Sequence, residues 1–378
     1  MPRIILTGGG TAGHVLPNLA LIPELSKHFE IHYIGRPAGI EHELIKNYNK
    51  THSTKPLGGI IHYHPVRATK LRRSLTPKNL LSNSLIPFTL ADGIKQAKKI
   101  LKLLRPSLVF SKGGFAALPT VLAAGMSRIP VVLHESDLSI GLANRMSVTH
   151  TTIICTTFAE TKIKKGKAIH TGPIIRPQIF TGDPNSIIKM FSKHKSQSQN
   201  QQNTIPNSQV QPSKNLLVLG GSQGAAAINN ALYNTLDTLI PNWNILHITG
   251  KGKLPDSPKS HPTYTPVEYI ENIQDAYAWA DVVISRAGAG AMFELLALQK
   301  TTIFIPLATG RGDQIENAEW VRSHGAGTIL SEGDLDPHTL TTALSDTCNN
   351  REALRTNIQK LGNLDGTKKV VEILAQIP

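Results

Sequence analysis

Short apolar, β-branched runs recur along the chain, most of them leading straight into a glycine-bearing loop. A first set comprises RIILTG (3–8), EIHYIG (30–35), SLVFSKG (107–113), IPVVLHE (129–135) and TTIICTT (151–157). A second comprises KNLLVLGGSQG (214–224), NILHITGK (244–251), ADVVISRAG (280–288) and TTIFIPL (301–307). Strands buried on both faces of a parallel sheet have this look. Helical patterns lie between them, from about Val15 to His28, in ADGIKQAKKILKLL (91–104) and in PTVLAAGMS (119–127). Strand, helix and strand over residues 3–35 form one βαβ unit. The alternation predicts an α/β protein with doubly wound sheets, two Rossmann-like domains facing across a cleft.

The length of 378 residues suits two cores, at roughly 100–200 residues each. GPIIRP (172–177), stiffened by two prolines, is the expected crossing. It divides the chain into 1–172, 173–350 and a pair of amphipathic helices over 351–378 that pack back on the first domain. Residues 192–214, SKHKSQSQNQQNTIPNSQVQPSK, are rich in Gln, Asn and Ser with almost no apolar content. Such a segment cannot offset its ordering entropy, which predicts a surface loop.

Charge sharpens this picture. Of the net +14, residues 1–178 contribute 24 basic against 8 acidic residues, and 179–378 contribute 16 against 18. From Lys46 to Lys112 there are 14 basic residues and a single acid, Asp92. A one-sided basic surface attracts nucleic acid, anionic headgroups or phosphorylated substrates. Aromatics are 5% of the chain and do not interleave with those bases, which argues against a stacking platform for single strands. A merely solvated face is the plain alternative. Two distant cysteines, Cys155 and Cys348, give neither a metal-ligand pattern nor a disulfide framework and fit a reducing compartment. The opening MPRIILTGGG carries no basic leader with an apolar core, and no apolar run reaches the ~18 residues of a bilayer span. The expected location is cytoplasmic.

Three strand-to-helix loops are candidates for holding phosphate. Gly8, Gly10 and Gly13 satisfy G-x-G-x-x-G, which lets backbone N–H groups approach an anion at a helix N-terminus. A nicotinamide site also wants an acid ending the second strand; Gly35 and Arg36 stand there, so only an NADP-type reading through Arg36 survives. Gly220-Gly221-Ser222-Gln223-Gly224 is the second loop, and SRAGAGAMFE (285–294) the third. Ligands of open α/β sheets bind beyond the strand C-termini, where such loops converge. Glycosyl transfer needs a base near the acceptor hydroxyl and support for a leaving diphosphate. His14 and Glu135 are the base candidates, and Arg176 with the helix N-termini would support the diphosphate. A His beside a glycine turn is equally often a structural residue. Asp334-Leu335-Asp336 resembles a metal-binding D-x-D but precedes a helix, so N-capping is expected instead. His62-Tyr63-His64 offers two ligands with no third in sight and reads as a polar loop. No essential metal or other cofactor is expected.

Seven segments carry a resemblance. TGGGTAGHVLP, YIGRPAGIEHELI, SKGGFAALP, HESDLSIGLANR, GGSQGAAAIN, YIENIQDAYAWADVVISRAGAGAMFEL and GRGDQIENA follow one another from residue 7 to residue 318. Together they resemble the MurG-type N-acetylglucosaminyltransferases. The resemblance implies a GT-B fold with a UDP-N-acetylglucosamine donor bound mainly by the second domain. It implies inverting transfer to the C4 hydroxyl of undecaprenyl-diphospho-muramoylpentapeptide, a step of peptidoglycan synthesis. It further implies donor contacts from Thr11, Ala12, Gly13, Asp137, Arg176, Ser222, Ile270, the run Ala289, Gly290, Ala291, Met292, Phe293 and Glu294, and Gln314. Glu294 would hold the ribose hydroxyls, Gln314 the sugar, and His14 is the favoured base. The family's HEQN is here His134-Glu135-Ser136-Asp137, so an acid that cannot donate a hydrogen bond replaces an amide.

With that resemblance the basic half gains a role. Residues 71–90 set Arg72, Arg73 and Lys78 among Leu71, Leu75, Leu81, Leu85 and Phe88. Apolar residues rimmed by cations suit a peripheral contact with anionic inner-membrane lipids, at about 1 kcal/mol per base. The expected partners are the donor, the lipid-linked acceptor, that membrane and other wall-synthesis proteins, with no nucleic acid. A UDP-sugar epimerase of the same fold, an NADP-dependent reductase and an inactive membrane-docking subunit are the rival readings.

Overall fold

The structure, a computed structural model, describes residues 1–52, 59–70, 76, 79, 83–199, 214–221, 224–309 and 312–377. The chain divides into two compact units, Met1–Arg176 with Asp365–Pro378, and Pro177–Leu364.

The first unit is built on seven parallel strands: β1 (Arg3–Thr7), β2 (Glu30–Gly35), β3 (His62–Pro65), β4 (Leu108–Ser111), β5 (Val131–Glu135), β6 (Ile153–Thr156) and β7 (Ala168–His170). Their order is β3-β2-β1-β4-β5-β6-β7, so the winding direction reverses between β1 and β4. Successive residues of β1 serve opposite faces of the sheet. Ile4 and Leu6 join Leu21, Leu25, Val370 and Leu374 in one cluster; Ile5 joins Ala97, Val109, Val121 and Leu133 in the other. Burial on both faces is why the middle of β1 is apolar without alternation. The closing helix Thr367–Ala375 belongs to this unit, tied on where Thr367 Oγ1 accepts from Ile175 N at 3.0 Å and donates to its carbonyl at 3.1 Å.

The second unit carries six parallel strands: β8 (Lys214–Leu219), β9 (Trp243–Ile248), β10 (Tyr264–Val267), β11 (Val282–Ser285), β12 (Thr301–Phe304) and β13 (Thr328–Ile329). The order is β10-β9-β8-β11-β12-β13, with its reversal between β8 and β11. Leu216, Val218, Leu232, Leu236, Ile245, Ile284 and Ile303 are part of its core.

Two expectations are corrected here. His62-Tyr63-His64 is an edge strand, not a loop, with His32 opposite His62 and Ile34 opposite His64. An edge strand has one side in solvent and needs no apolar run. Tyr63 stacks on Tyr33 at 6.0 Å, and His64 Nε2 meets His32 Nδ1 at 3.0 Å. The polar stretch beginning at 192 is helical as far as 199, continuing the helix Pro184–Gln199. Once nucleated on apolar anchors such as Ile187 and Phe191, a helix propagates through polar residues at little cost.

Candidate active site

In the first unit, the loops after β1, β4 and β5 open at the carboxyl edge of the sheet around the β1/β4 reversal, the position where open α/β sheets bind ligands. The loop after β1 ends in a single 3₁₀ turn, Ala12–His14, entered through an extended Thr11. It is braced from below. Asn18, fully buried, donates to Thr7 O at 3.2 Å, and Tyr33 Oη donates to Gly8 O at 2.6 Å. Buried Glu41 accepts from Gly10 N at 3.3 Å and from Arg36 Nε at 3.1 Å. The Arg36 guanidinium lies over the Phe115 ring at 4.9 Å. Arg36 is thus paired with a carboxylate beneath the loop, which weighs against the NADP reading. Thr11 and Gly13 are exposed and Ala12 half-buried, so the outer surface of this turn is open.

His14 is half-buried and its Nδ1 lies 3.1 Å from the carbonyl oxygen of Lys112. A carbonyl only accepts, so Nδ1 carries the proton and Nε2 becomes the basic nitrogen. The ring has a close floor: a Cβ on Gly114 would land on the Gly9 carbonyl and 2.8 Å from His14 Cδ2, and its φ of +80° already disfavours a side chain.

Glu135, the other base candidate, is 4% exposed and fully engaged. Its Oε1 accepts from Ser136 N at 2.9 Å and Asp137 N at 3.2 Å, and its Oε2 from Gly141 N and Asn144 Nδ2, both at 2.8 Å. Four donors on one carboxylate make a brace for the loop after β5. Glu135→Ala is expected to lower the stability of the chain by about 2–4 kcal/mol, because buried donors lose their acceptor. Thermal unfolding measures this. A variant that unfolds like the parent yet loses activity would return Glu135 to the chemistry. Asp137 is half-buried beside this brace, and Arg176 ends the first stretch of chain in this unit. His134 is fully buried; its own burial and then the charge of Lys112 hold its pKa well below the usual range. Its Nε2 donates to Gly172 O at 3.2 Å.

In the second unit, the second and third glycine loops follow β8 and β11, the two strands flanking that sheet's reversal. Ser222 lies outside the described residues; Gly221 beside it has nothing within 4 Å of a built Cβ. The loop after β11 is held from behind. Asn317 Nδ2 donates to Ala287 O at 3.1 Å, and Arg286, 8% exposed, donates to Ile305 O at 3.1 Å and pairs with Glu332. Extended Gly288 then caps the helix Ala289–Ala297. Gly290 is exposed and Ala291 half-buried, and nothing approaches Gly288 or Gly290. The first N–H groups of that helix have no intrahelical partner and carry its positive dipole end, an anion site in form. Met292 and Phe293, expected among the donor contacts, send their side chains into the core at 0% and 2% exposure. Phe293 packs on Trp320 at 5.7 Å. Glu294 is 8% exposed one turn on. Gln314 Oε1 accepts from Leu307 N at 3.0 Å, so a sugar would be met by its Nε2 donor. Ile270 is half-buried in the loop after β10. Asp336 caps the helix Pro337–Asn349 through a capping box with Thr339, which explains the D-x-D. Among the described residues no group of three or more His, Cys, Asp or Glu is arranged to hold a metal ion.

Of the residues expected at a membrane, Leu71, Arg72, Arg73, Leu75, Lys78 and Leu81 lie outside the described residues. Leu85 and Phe88, at the start of the helix Ile86–Leu104, are 56% and 75% exposed. Lys95, Lys98, Lys99 and Lys102 are exposed further along it. Among the described residues no helix is long and apolar enough to cross a membrane.

Solved structures of similar shape give the fold its class. The match to the crystal structure of Acinetobacter baumannii MurG has a TM-score of 0.69 at 24% identity and covers 99% of both chains. That to the glycotransferase of kitacinnamycin has a TM-score of 0.70 at 14% identity, covering 100% of this chain and 99% of that one. The two sheets are those of a GT-B glycosyltransferase. The profile of the Glycosyltransferase family 28 N-terminal domain matches residues 4–156, and that of its C-terminal domain residues 215–376. Proteins of Lachnoclostridium phytofermentans and Lachnospira eligens are 41% and 39% identical, over 100% and 99% of this chain and 99% of their own. Each is named UDP-N-acetylglucosamine--N-acetylmuramyl-(pentapeptide) pyrophosphoryl-undecaprenol N-acetylglucosamine transferase. The chain belongs to glycosyltransferase family 28, among its MurG-type N-acetylglucosaminyltransferases.

Proposed function

We propose that this chain transfers N-acetylglucosamine from UDP-N-acetylglucosamine to the C4 hydroxyl of undecaprenyl-diphospho-N-acetylmuramoyl-pentapeptide, releasing UDP. The observation that carries the reading is likeness at about two residues in five, end to end, to transferases bearing that name. Each compact unit, taken by itself, holds a group that the reaction calls for. His14 Nε2 takes the proton as the C4 oxygen attacks the anomeric carbon from the face opposite the departing diphosphate. The bond from that carbon to the diphosphate oxygen breaks with inversion, and the N-terminus of the helix Ala289–Ala297 receives the negative charge. Glu294 meets the ribose hydroxyls and Gln314 the sugar, with Ile270 a further donor contact.

Radiolabelled transfer to a short-chain lipid-linked muramoyl-pentapeptide, run with and without EDTA, tests this. Product in both tubes is expected. Loss of product only with EDTA would introduce a metal. Binding of the donor without transfer would favour the epimerase or the inactive docking subunit.

The exposed Leu85 and Phe88 and the neighbouring cations support peripheral attachment to the cytoplasmic face of an anionic membrane. Changing Arg72, Arg73 and Lys78 to Glu is expected to reduce co-sedimentation with phosphatidylglycerol vesicles at least tenfold, since each base contributes about 1 kcal/mol. Unchanged binding would sink this contact.

A further inference from the structure

The first glycine loop is folded around a carboxylate. Glu41 stands in the first turn of the helix Ile40–His52, where the dipole favours negative charge, and it is 0% exposed. Glycines make the room for it. A Cβ on Gly9 would lie 2.7 Å from Glu41 Cδ, one on Gly35 2.8 Å from its Cγ, and one on Gly39 would collide with its Oε1. Three donors reach the carboxylate: Gly10 N at 3.3 Å, Arg36 N at 3.1 Å and Arg36 Nε at 3.1 Å. Gly9 N donates to Gly113 O at 3.3 Å. The N–H groups of Gly9 and Gly10, which a phosphate loop would offer its ligand, are therefore turned inward. A carboxylate cut off from water needs a partner charge, and the Arg36 guanidinium supplies it. Tyr63 Oη donates to Arg36 O at 2.5 Å, which joins the edge strand to the same brace.

We infer that Glu41 is a positioning residue for the proposed transfer: through Gly10 N it fixes the start of the turn Thr11–His14, and with it the place of the His14 ring. The inference rests on the activity proposed above. The path between the two residues is short. Gly10 takes a left-handed φ of +91°, and Phe115 closes its other side, 2.5 Å from where a Cβ would stand. Thr11 O in turn accepts from His14 N at 3.2 Å, so a displaced Gly10 carries the turn with it. The ring itself is anchored at the Lys112 carbonyl, 3.1 Å from Nδ1, on the loop after β4. Without the Glu41 contact the ring keeps that anchor while the backbone bearing it can shift.

Two substitutions separate reach from charge. Glu41→Asp keeps the charge beside Arg36 and falls one methylene short of Gly10 N. Glu41→Gln keeps an oxygen for Gly10 N and gives up the charge; Arg36, its side chain 29% exposed, can then turn to water. Single-turnover rates at saturating donor are measured for each full-length variant, alone and combined with His14→Gln. A misplaced group about 1 Å from its proper position can cost about 100-fold; on that scale Glu41→Asp is expected to lose about 30-fold and Glu41→Gln about tenfold. Where His14→Gln leaves no base to position, either change is expected to cost less than about threefold more. Losses that multiply in full in both backgrounds would make Glu41 a support of the fold alone and overturn the inference. A parental rate in Glu41→Asp would overturn it too. Should Glu41→Asp not fold, the same comparison is made with Glu41→Gln. If the unaltered chain shows no transfer, the proposed activity fails instead. The contact is then read without substrate, from hydrogen exchange of the amides of residues 9–14. Exchange at least about tenfold faster in Glu41→Asp, or in Glu41→Gln if that is the chain that folds, supports the placement of the turn by Glu41, and an unchanged rate overturns it.

Discussion

His14→Ala is expected to lower kcat by about 10²–10⁴-fold, the usual contribution of a positioned general base. The KM for UDP-N-acetylglucosamine should change less than about threefold, since the helix N-terminus proposed to receive the diphosphate charge belongs to the other compact unit. The reasoning lies in the tautomer. Because Nδ1 donates to the Lys112 carbonyl at 3.1 Å, the lone pair sits on Nε2, and that hydrogen bond strengthens as the ring becomes cationic. His14→Gln separates the two functions of the ring, since an amide can donate to the carbonyl but cannot accept a proton at neutral pH. It should be as inactive as His14→Ala while unfolding at the temperature of the parent. Single-turnover rates with lipid-linked acceptor decide the matter. A His14→Gln chain retaining more than a tenth of the parental rate would remove the base role and leave His14 as a loop brace.

The legible and illegible parts of this protein divide along physical lines. The central strands β1, β4, β5, β8 and β11 are buried on both faces, so every residue in them is constrained and the run announces itself. The strand β3 is not legible, because an edge strand with His62 and His64 on it satisfies its neighbour through register and aromatic contact alone. The short strands β7, β10 and β13 share that position at or toward a sheet edge. The helix running to Gln199 was hidden because polar residues in a helix differ little from polar residues in a loop once apolar spacing stops.

Of the candidate site, the glycine loops are legible because their turns are set by backbone geometry, which leaves a composition signature. Side-chain destinations are not. Met292 and Phe293 stand in the motif expected to meet the donor while their side chains face the core, since in a helix successive residues turn by about 100° and a contiguous run of side chains cannot all face one ligand. The burial of Lys112 is illegible for the opposite reason. A basic residue inside the most basic stretch of the chain looks solvated, and nothing local shows that Ser136, 24 positions later, will receive its ammonium.

Gly290→Asp is expected to weaken donor binding by on the order of 100-fold while leaving the chain as stable as before or more so. The two effects share one cause. A carboxylate in the first turn of the helix Ala289–Ala297 lies at the positive end of the dipole, which stabilises it by about 0.3–1 kcal/mol, and glycine inside a helix is a weak former. Nothing lies within 4 Å of the position that the new Cβ would take, so packing raises no objection. The same carboxylate would occupy the ground proposed for the donor diphosphate. Like charges about 4 Å apart at an effective dielectric near 20 repel by about 4 kcal/mol; with part of that screened by solvent, close to two decades of affinity remain. Gly290→Ala is the control, adding bulk without charge, and should stay within about threefold of the parent. Calorimetric titration with UDP, beside thermal unfolding, reads both effects on one sample. A Gly290→Asp chain that binds UDP as the parent does would move the diphosphate away from this helix. A chain weakened equally by Ala and Asp would mean that contact distance, not charge, sets donor affinity at this turn.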